Sequence, residues 1–504
     1  MQARSGPTVG VAIDADPREL AASAAAGAHI VVVLPPDDPA WEQLTGVRVL
    51  PAAPHGEVVV EATDDPLARN LPAGHVLHGG VTPLQTLDDT RSLLRTRLSF
   101  GEQSLAALRV VGAGSVLTLG RAPDPDALPD PDPLHTLVAR AKRGVTPPVD
   151  TVGVGIVGYG QHGGMGWLHG TATRAAQGLH LAAIAEPHPD RLQDAGTRFP
   201  EASLYSDIEP LLADDDVHVV LIATPPSTHH VLARRALEAG RHVVVEKPLC
   251  FTAAEADDLL ELADARGLLL TVHQNRRWDA DFRAIRRLVA EGRLGDVFNV
   301  ETFVGGFEHP CRLWHSELSV SGGRLYDWGA HLIDQQLRLL GAQPTSITAT
   351  AHDGVWHDVT NLDQVRVRMA FDDGREAEFL DSDILAVRRP KYVVQGTKGT
   401  LVGHYVPVVA ETVTPDRGHE RVEHHHAEGP ARLRLAVHEP GWGLHEIDVP
   451  TLPAPPHAFH RALADHLQLG DPVPVDPREV RDLVAVLEAA HTSAHNRGRP
   501  VTPA

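Results

Sequence analysis

Cysteine is nearly missing from this chain: 504 residues hold two, Cys250 and Cys311. That pair, so spaced, builds neither a disulfide framework nor a zinc site, and a reducing compartment fits it. The first 150 residues contain no cysteine, which excludes a thiol nucleophile there. Lysine is almost as rare. Lys142, Lys247, Lys391 and Lys398 are the full set, so a lysine inside a motif is seldom incidental. Positive charge is in deficit, with 45 basic against 66 acidic side chains and a net charge of −21. A nucleic-acid groove needs a basic stripe, and none is expected here. No apolar run reaches the length of a membrane span, and the stretch from Met1 to Thr8 lacks the apolar core of a secretion signal. A cytoplasmic location and a small-molecule substrate, with no membrane and no nucleic acid as partner, are the expectations.

What is present is apolar sequence sufficient for two or three cores, at 42% hydrophobic residues. The most informative stretch is 151–163, TVGVGIVGYGQHG. Val152, Val154, Ile156 and Val157 read as a strand buried on both faces. Gly158, Gly160 and Gly163 follow at the spacing G-x-G-x-x-G, with Tyr159 inside the turn. The first glycine allows the tight turn, the second lets a pyrophosphate approach the backbone, and the third lets the next helix pack close. Glu186, a little over 20 residues further on, ends the next strand, where a carboxylate holds the ribose hydroxyls of NAD and repels the extra phosphate of NADP. NAD is therefore the expected cofactor, with His188 and Arg191 nearby keeping NADP as the lesser alternative.

Strand and helix patterns alternate from 152 to 273, as a doubly wound parallel sheet requires. Ligands of such sheets bind at the carboxyl ends of the strands. Thr224, Pro225 and His229 follow one strand, and Glu246, Lys247 and Pro248 another, so these residues are expected to line the cofactor crevice with the glycine turn. Before this domain, short apolar runs (Val9–Ile13, Ile30–Leu34, Val58–Ala62, Ser115–Leu119) and an alanine-rich helix (Pro17–Ala26) read as a separate α/β unit over 1–121. The segment 122–150, rich in proline and aspartate, reads as a linker carrying one short helix. After 273, β-rich patterns without long helices point to a mostly antiparallel sheet, with Asp372-Asp373-Gly374 as a hairpin turn.

Several ordered motifs resemble the glucose–fructose oxidoreductase / inositol dehydrogenase / rhizopine-catabolism (Gfo/Idh/MocA) family over roughly 151–504. They are Gly158-Tyr159-Gly160-Gln161-His162-Gly163, Ala223-Thr224-Pro225-Pro226 with His229, Glu246-Lys247-Pro248, Asn275-Arg276-Arg277, the stretch from Gly322 to Asp334, and Gly396-Thr397-Lys398-Gly399. The resemblance implies a Rossmann domain over 151–273 and, over 274–504, a C-terminal α/β domain with a large, mostly antiparallel sheet. It also implies a dimer or tetramer, a cis peptide before Pro248, and Lys247, Asp327 and His331 as the catalytic set. The N-terminal unit is similar to ThuA-like domains, through 64–72 and 114–120. Residues 456–469 and 478–496 look like the family's closing helices.

The residues themselves support that chemistry. An ammonium at a strand end can stabilise a developing oxyanion during hydride loss. Asp327 and His331, four apart on one predicted helix, share a face, which suits proton transfer. Arg277, Trp278, Trp314, His315 and Trp328 are expected to line the substrate cleft, where aromatics can stack on a sugar or polyol ring. His419, His424, His425 and His426 form a polar run without a metal-ligand spacing, and no metal is expected. The function expected is hydride transfer between NAD(P) and a secondary alcohol of a sugar, cyclitol or polyol. The rivals are an NAD-dependent glycosidase using transient oxidation, and a non-catalytic NAD-binding sensor or scaffold.

Overall fold

The computed structural model describes residues 8–10, 15–52, 57–71, 75–78, 80–98, 101–123, 133–144, 150–160, 164–310, 313–414, 418–424, 429–451 and 455–504. Two units partition the chain. The larger comprises 153–173, 181–454 and 475–504; the smaller comprises 1–152, 174–180 and 455–474.

In the larger unit, short apolar strands make a six-stranded sheet. Its order is Ser203–Tyr205, Leu179–Ala185, Val152–Val157, Val219–Ile222, His242–Glu246, Leu270–His273. Val152–Val157 runs parallel to Val219–Ile222, which runs parallel to His242–Glu246, and that strand to Leu270–His273. Every residue of Val219–Ile222 is buried, the reason its sequence lacks any alternation. The strand order reverses beside Val152–Val157, so the crevice at the carboxyl ends opens at the glycine turn. Helix Ala253–Arg266 begins with a capping box between Thr252 and Glu255 and stops at Gly267, whose φ is +63°.

The same unit holds an eight-stranded sheet in the order Ser346–His352, Gln364–Ala370, Glu376–Ser382, Val297–Gly305, Tyr392–Gly396, Gly399–Tyr405, Ala431–Glu439, Gly443–Val449. Val297–Gly305 and Glu376–Ser382 are parallel, and the remaining neighbours are antiparallel. The Asp372-Asp373-Gly374 turn connects two of them, with Gly374 at φ +84°. One apolar core joins this sheet to helices Ala280–Ala290, Gly329–Leu340 and Pro477–His495, through Phe282, Ile333, Leu337, Val300, Phe379, Tyr392 and Val486. Residues 405–450 supply two hairpins. Ala431–Glu439 with Gly443–Val449 extends the large sheet, and Val408–Thr414 pairs with Gly418–His424. His419 and His424 lie on the latter; His425 and His426 lie outside the described residues.

The smaller unit has a nine-stranded sheet. Thr8–Gly10, His29–Val33 and Gly114–Leu119 pair in parallel, and an antiparallel set built on the long hairpin Thr90–Leu98/Gly101–Val111 completes it. Two boundaries differ from the sequence reading. Helix Pro133–Lys142 is not part of a linker: Leu134, Leu137 and Ala141 are buried with Val31, Leu94, Leu105 and Leu117 in this unit's core. The helix Ala458–Leu469 groups with this unit and not with the C-terminal domain. The reason is electrostatic. Fully buried Arg140 donates to the Leu67 and Arg69 carbonyls at 2.7 and 3.1 Å, and to Asp465 and Asp471 at 2.9 and 2.7 Å. A buried guanidinium is tolerable only when its donors are matched in this way. Among the described residues, no helix is long and apolar enough to cross a membrane.

Candidate active site

The glycine turn sits at the end of Val152–Val157. Gly158 has φ +91° and Gly160 φ +68°, conformations that disfavour a side chain. A Cβ on Gly158 would come within 2.8 Å of Thr224 Cγ2, whereas a Cβ on Gly160 would meet nothing within 4 Å. The first glycine is therefore required by packing against the Thr224 loop, and the second leaves space open above the turn. Glu186 is buried, and its Oε2 accepts the N–H groups of Tyr159 and Gly160 at 3.0 and 2.9 Å. Its Oε1 accepts from His188 N at 3.1 Å and lies 3.9 Å from Arg191 Nη1. Glu186 thus already accepts the turn's N–H groups, and what fits an adenine dinucleotide is the open space above Gly160 beside the strand-end carboxylate. Gly163 lies outside the described residues. Close packing of the next helix falls to Gly166, where a Cβ would stand 2.4 Å from the Tyr159 carbonyl oxygen. Only the backbone of Tyr159 belongs to the turn. Its ring is buried against Phe199, and its hydroxyl donates to Asp194 at 2.9 Å, so burial and that carboxylate push the phenol up to about 12.

Thr224 and Pro225, half-buried, follow the strand Val219–Ile222. His229 does not face the crevice as expected. It is buried, with Nδ1 2.7 Å from the Pro248 carbonyl and Nε2 2.8 Å from the Thr224 carbonyl. It braces two loops against each other instead of offering a contact.

Lys247 follows the strand His242–Glu246, and the Lys247–Pro248 peptide is cis. Its ammonium is hydrogen-bonded to the Asp327 carboxylate and lies 3.4 Å from the Asp327 carbonyl. Burial pushes the Asp327 carboxyl up, but the Lys247 ammonium, with Arg324 and His315, outweighs burial and holds it below the usual range. Asp327 and His331 do not share one helix. Gly323–Asp327 ends, Trp328 intervenes, and Gly329–Leu340 begins. The chain nevertheless stays helical at Trp328, with φ −78° and ψ −30°, so both groups remain on neighbouring turns.

His331 is buried, and burial, the Lys247 ammonium and the Arg276 guanidinium together hold its pKa well below the ordinary histidine range. Its Nδ1 is buried and has no hydrogen-bond partner among the described residues. A neutral imidazole with an unused nitrogen can accept a proton, and the ammonium beside it makes it a weaker base.

Two expected contacts are corrected. Arg277 is buried in an ion-pair network, donating to Asp334 at 2.9 and 2.6 Å and to Glu479 at 2.6 Å, and does not line a substrate cleft. Glu246 is also turned inward. Oε1 accepts from His169 Nε2 at 2.8 Å and His273 Nδ1 at 2.7 Å, while Oε2 accepts from Lys247 N at 3.1 Å. Burial alone would raise this carboxyl, and the two imidazoles outweigh it, holding it well below the usual range. The cleft aromatics divide. The Trp328 ring lies 5.8 Å from that of His331, with the Arg276 guanidinium 5.3 Å above it. Trp314 stacks on His315 at 3.6 Å, and His315 acts on Asp327. Trp278 is half-buried in the turn Asn275–Trp278. Sequence reasoning missed His169 and His273, lone histidines in apolar surroundings that gave no motif, and Arg324, which pairs with Asp381 and Asp383.

A model of the oxidoreductase family with an NAD-binding Rossmann fold (GFO_IDH_MocA) matches residues 152–274, and one of the family's C-terminal domain matches 282–402. The chain is 27% identical over 352 residues to scyllo-inositol 2-dehydrogenase (NADP(+)) IolW of Bacillus subtilis (strain 168), covering 69% of this chain and 95% of that protein. It is 30% identical over 277 residues to inositol 2-dehydrogenase of Rhizobium meliloti (strain 1021), covering 53% and 80%. The crystal structure of an NAD-binding protein from Listeria innocua superposes with a TM-score of 0.59 at 27% identity, covering 70% of this chain and 97% of the other. Fold, motifs and relatives agree: this chain belongs to the Gfo/Idh/MocA family of oxidoreductases.

Proposed function

We propose that the protein oxidises a secondary alcohol of a cyclitol, sugar or related polyol, or reduces the matching ketone, with NAD(P) as hydride carrier. The observation that carries this reading is the Lys247–Asp327 pair beside a buried, neutral His331 at the carboxyl end of the Rossmann sheet. NAD(P), held by the glycine turn and the loops that follow the neighbouring strands, would supply the hydride acceptor or donor. The protein's own groups manage the oxygen. Lys247 Nζ donates to the reacting hydroxyl and stabilises the negative charge that grows on it. Asp327 holds the ammonium in place through their ion pair. His331 takes the hydroxyl proton in oxidation and returns it in reduction. Trp328 and Trp314 would cover an apolar ring face of the substrate.

Relatives named for inositol dehydrogenation support a cyclitol as the first substrate class to try. For the cofactor we favour NAD, because buried Glu186 would meet the extra phosphate of NADP with like charge. The test is a panel of cyclitols, aldoses and alditols with NAD or NADP, read by nicotinamide absorbance. Turnover of at least one cyclitol or sugar, faster with NAD, is expected. No turnover of any secondary alcohol would overturn the reading.

A further inference from the structure

The peptide carrying Lys247 is held by side chains from two other elements. His169 lies on helix Met165–Ala175, and His273 ends the strand Leu270–His273. Their rings pack edge to face at 4.6 Å, and each places one nitrogen on the same Glu246 oxygen. The other Glu246 oxygen accepts the backbone N–H of Lys247 itself. His169, His273 and Glu246 are 0%, 3% and 7% exposed. A carboxylate sealed from water keeps its charge only through such donors, and two rings fixed by packing leave it one orientation. A lysine side chain is long and loses much rotamer freedom when ordered, so the placement of its ammonium depends on how firmly its backbone is anchored.

We infer that His169 and His273 are positioning residues for Lys247, acting through Glu246. This rests on the reading above that Lys247 serves the reacting oxygen. Neither histidine is assigned to substrate or cofactor. They act by aiming a carboxylate that pins the lysine's amide, and the pin must be tight because a misplacement of about 1 Å in a reacting group costs on the order of 100-fold in rate.

Donor position makes this testable. His273→Asn puts an N–H where Nδ1 stands, and His169→Gln puts one where Nε2 stands. The swapped variants His273→Gln and His169→Asn are equally polar but misplace the donor, and the Phe variants remove it. The matched variants are expected to keep kcat within a few-fold. The swapped and Phe variants are expected to lose roughly 10- to 100-fold in kcat, with the KM for cofactor changed less than about threefold. A pH readout separates anchoring from mere stability. His331 feels the charges of Lys247, Arg276, Glu246 and His273, and among these only that of Glu246 favours its protonation. Glu246→Gln should therefore move the acid limb of the rate profile to lower pH.

A readout free of turnover uses the four lysines. Acetylation of Lys247 by an activated acetate, followed by mass spectrometry, should quicken several-fold in the swapped variants while the other lysines label as before. If every variant merely melted earlier, with kcat, acid limb and Lys247 labelling unchanged, the inference would be wrong. If the wild type turned over no polyol, the functional reading would fall, and the labelling would still decide the anchor: faster supports it, unchanged overturns it.

Discussion

Replacing Asp381 by asparagine should spare the protein a loss of stability at alkaline pH, and the gain can be worked from the structure. Asp381 is the penultimate residue of the strand Glu376–Ser382 and is fully buried. Arg324 Nε lies 3.2 Å from its Oδ1, but neither carboxylate oxygen completes a hydrogen bond in good geometry among the described residues. Burial pushes the carboxyl up; Arg324 pulls it down less strongly, and Asp327 adds repulsion, leaving it at about 7. An unfolded aspartate titrates near 3.9. Between these values the folded chain holds a proton that the unfolded chain has released. Stability contributed at this site is therefore fully present below pH 4 and is lost as pH rises towards 7, at no more than about 1.4 kcal/mol per pH unit. From pH 5 to pH 8 the loss is about 3 kcal/mol. Asparagine has the same shape and cannot ionise, so the variant escapes this loss. The assay is the melting temperature of both proteins at each pH, read as the difference between them, so that other titrations cancel. Relative to the wild type, the variant should gain on the order of 5 °C between pH 5 and pH 8. A difference that did not change with pH, or one that moved in the wild type's favour towards pH 8, would refute the assignment of a buried, proton-holding Asp381.

In the smaller unit, Arg140→Met leaves Asp465 and Asp471 without their shared guanidinium and two carbonyls without a donor. Arg69 still pairs with Asp465 and Arg143 with Asp471, so the loss should be about 3 kcal/mol or less, the low end for breaking a buried pair, read as a lowered melting temperature. The pH profile of kcat/KM should show its acid limb below pH 6.5, because burial, Lys247 and Arg276 keep His331 neutral to lower pH; a limb centred at or above 6.5 would remove His331 as the base.

Much of the larger unit was legible because buried parallel strands are written as unbroken apolar runs and the glycine turn follows one of them. The helix Ala253–Arg266 carries its start and stop in its own sequence, at Thr252, Glu255 and Gly267. The hairpin Thr90–Leu98/Gly101–Val111 was not legible: Arg91, Arg95 and Arg97 break its apolar pattern. Nor was the grouping of Ala458–Leu469 with the first 152 residues, which depends on Arg140 meeting Asp465 across more than 300 positions. The site divides in the same way. Lys247, Asp327 and His331 were named through the family resemblance, and the structure brings Lys247 and Asp327 into one ion pair. Arg277 and Glu246 were misjudged because what claims them, Asp334 and Glu479 for one, His169 and His273 for the other, is distant in sequence.

The most direct measurement follows the hydrogen itself. A cyclitol or sugar from the active set, deuterated at its carbinol carbons, is incubated with the protein and oxidised cofactor, and the reduced nicotinamide is examined by NMR. The account predicts deuterium at the ring carbon that accepts hydride, with transfer slowed about 100-fold or more in Lys247→Met and His331→Asn. Reduced nicotinamide without deuterium, or transfer that ignores both substitutions, would contradict it.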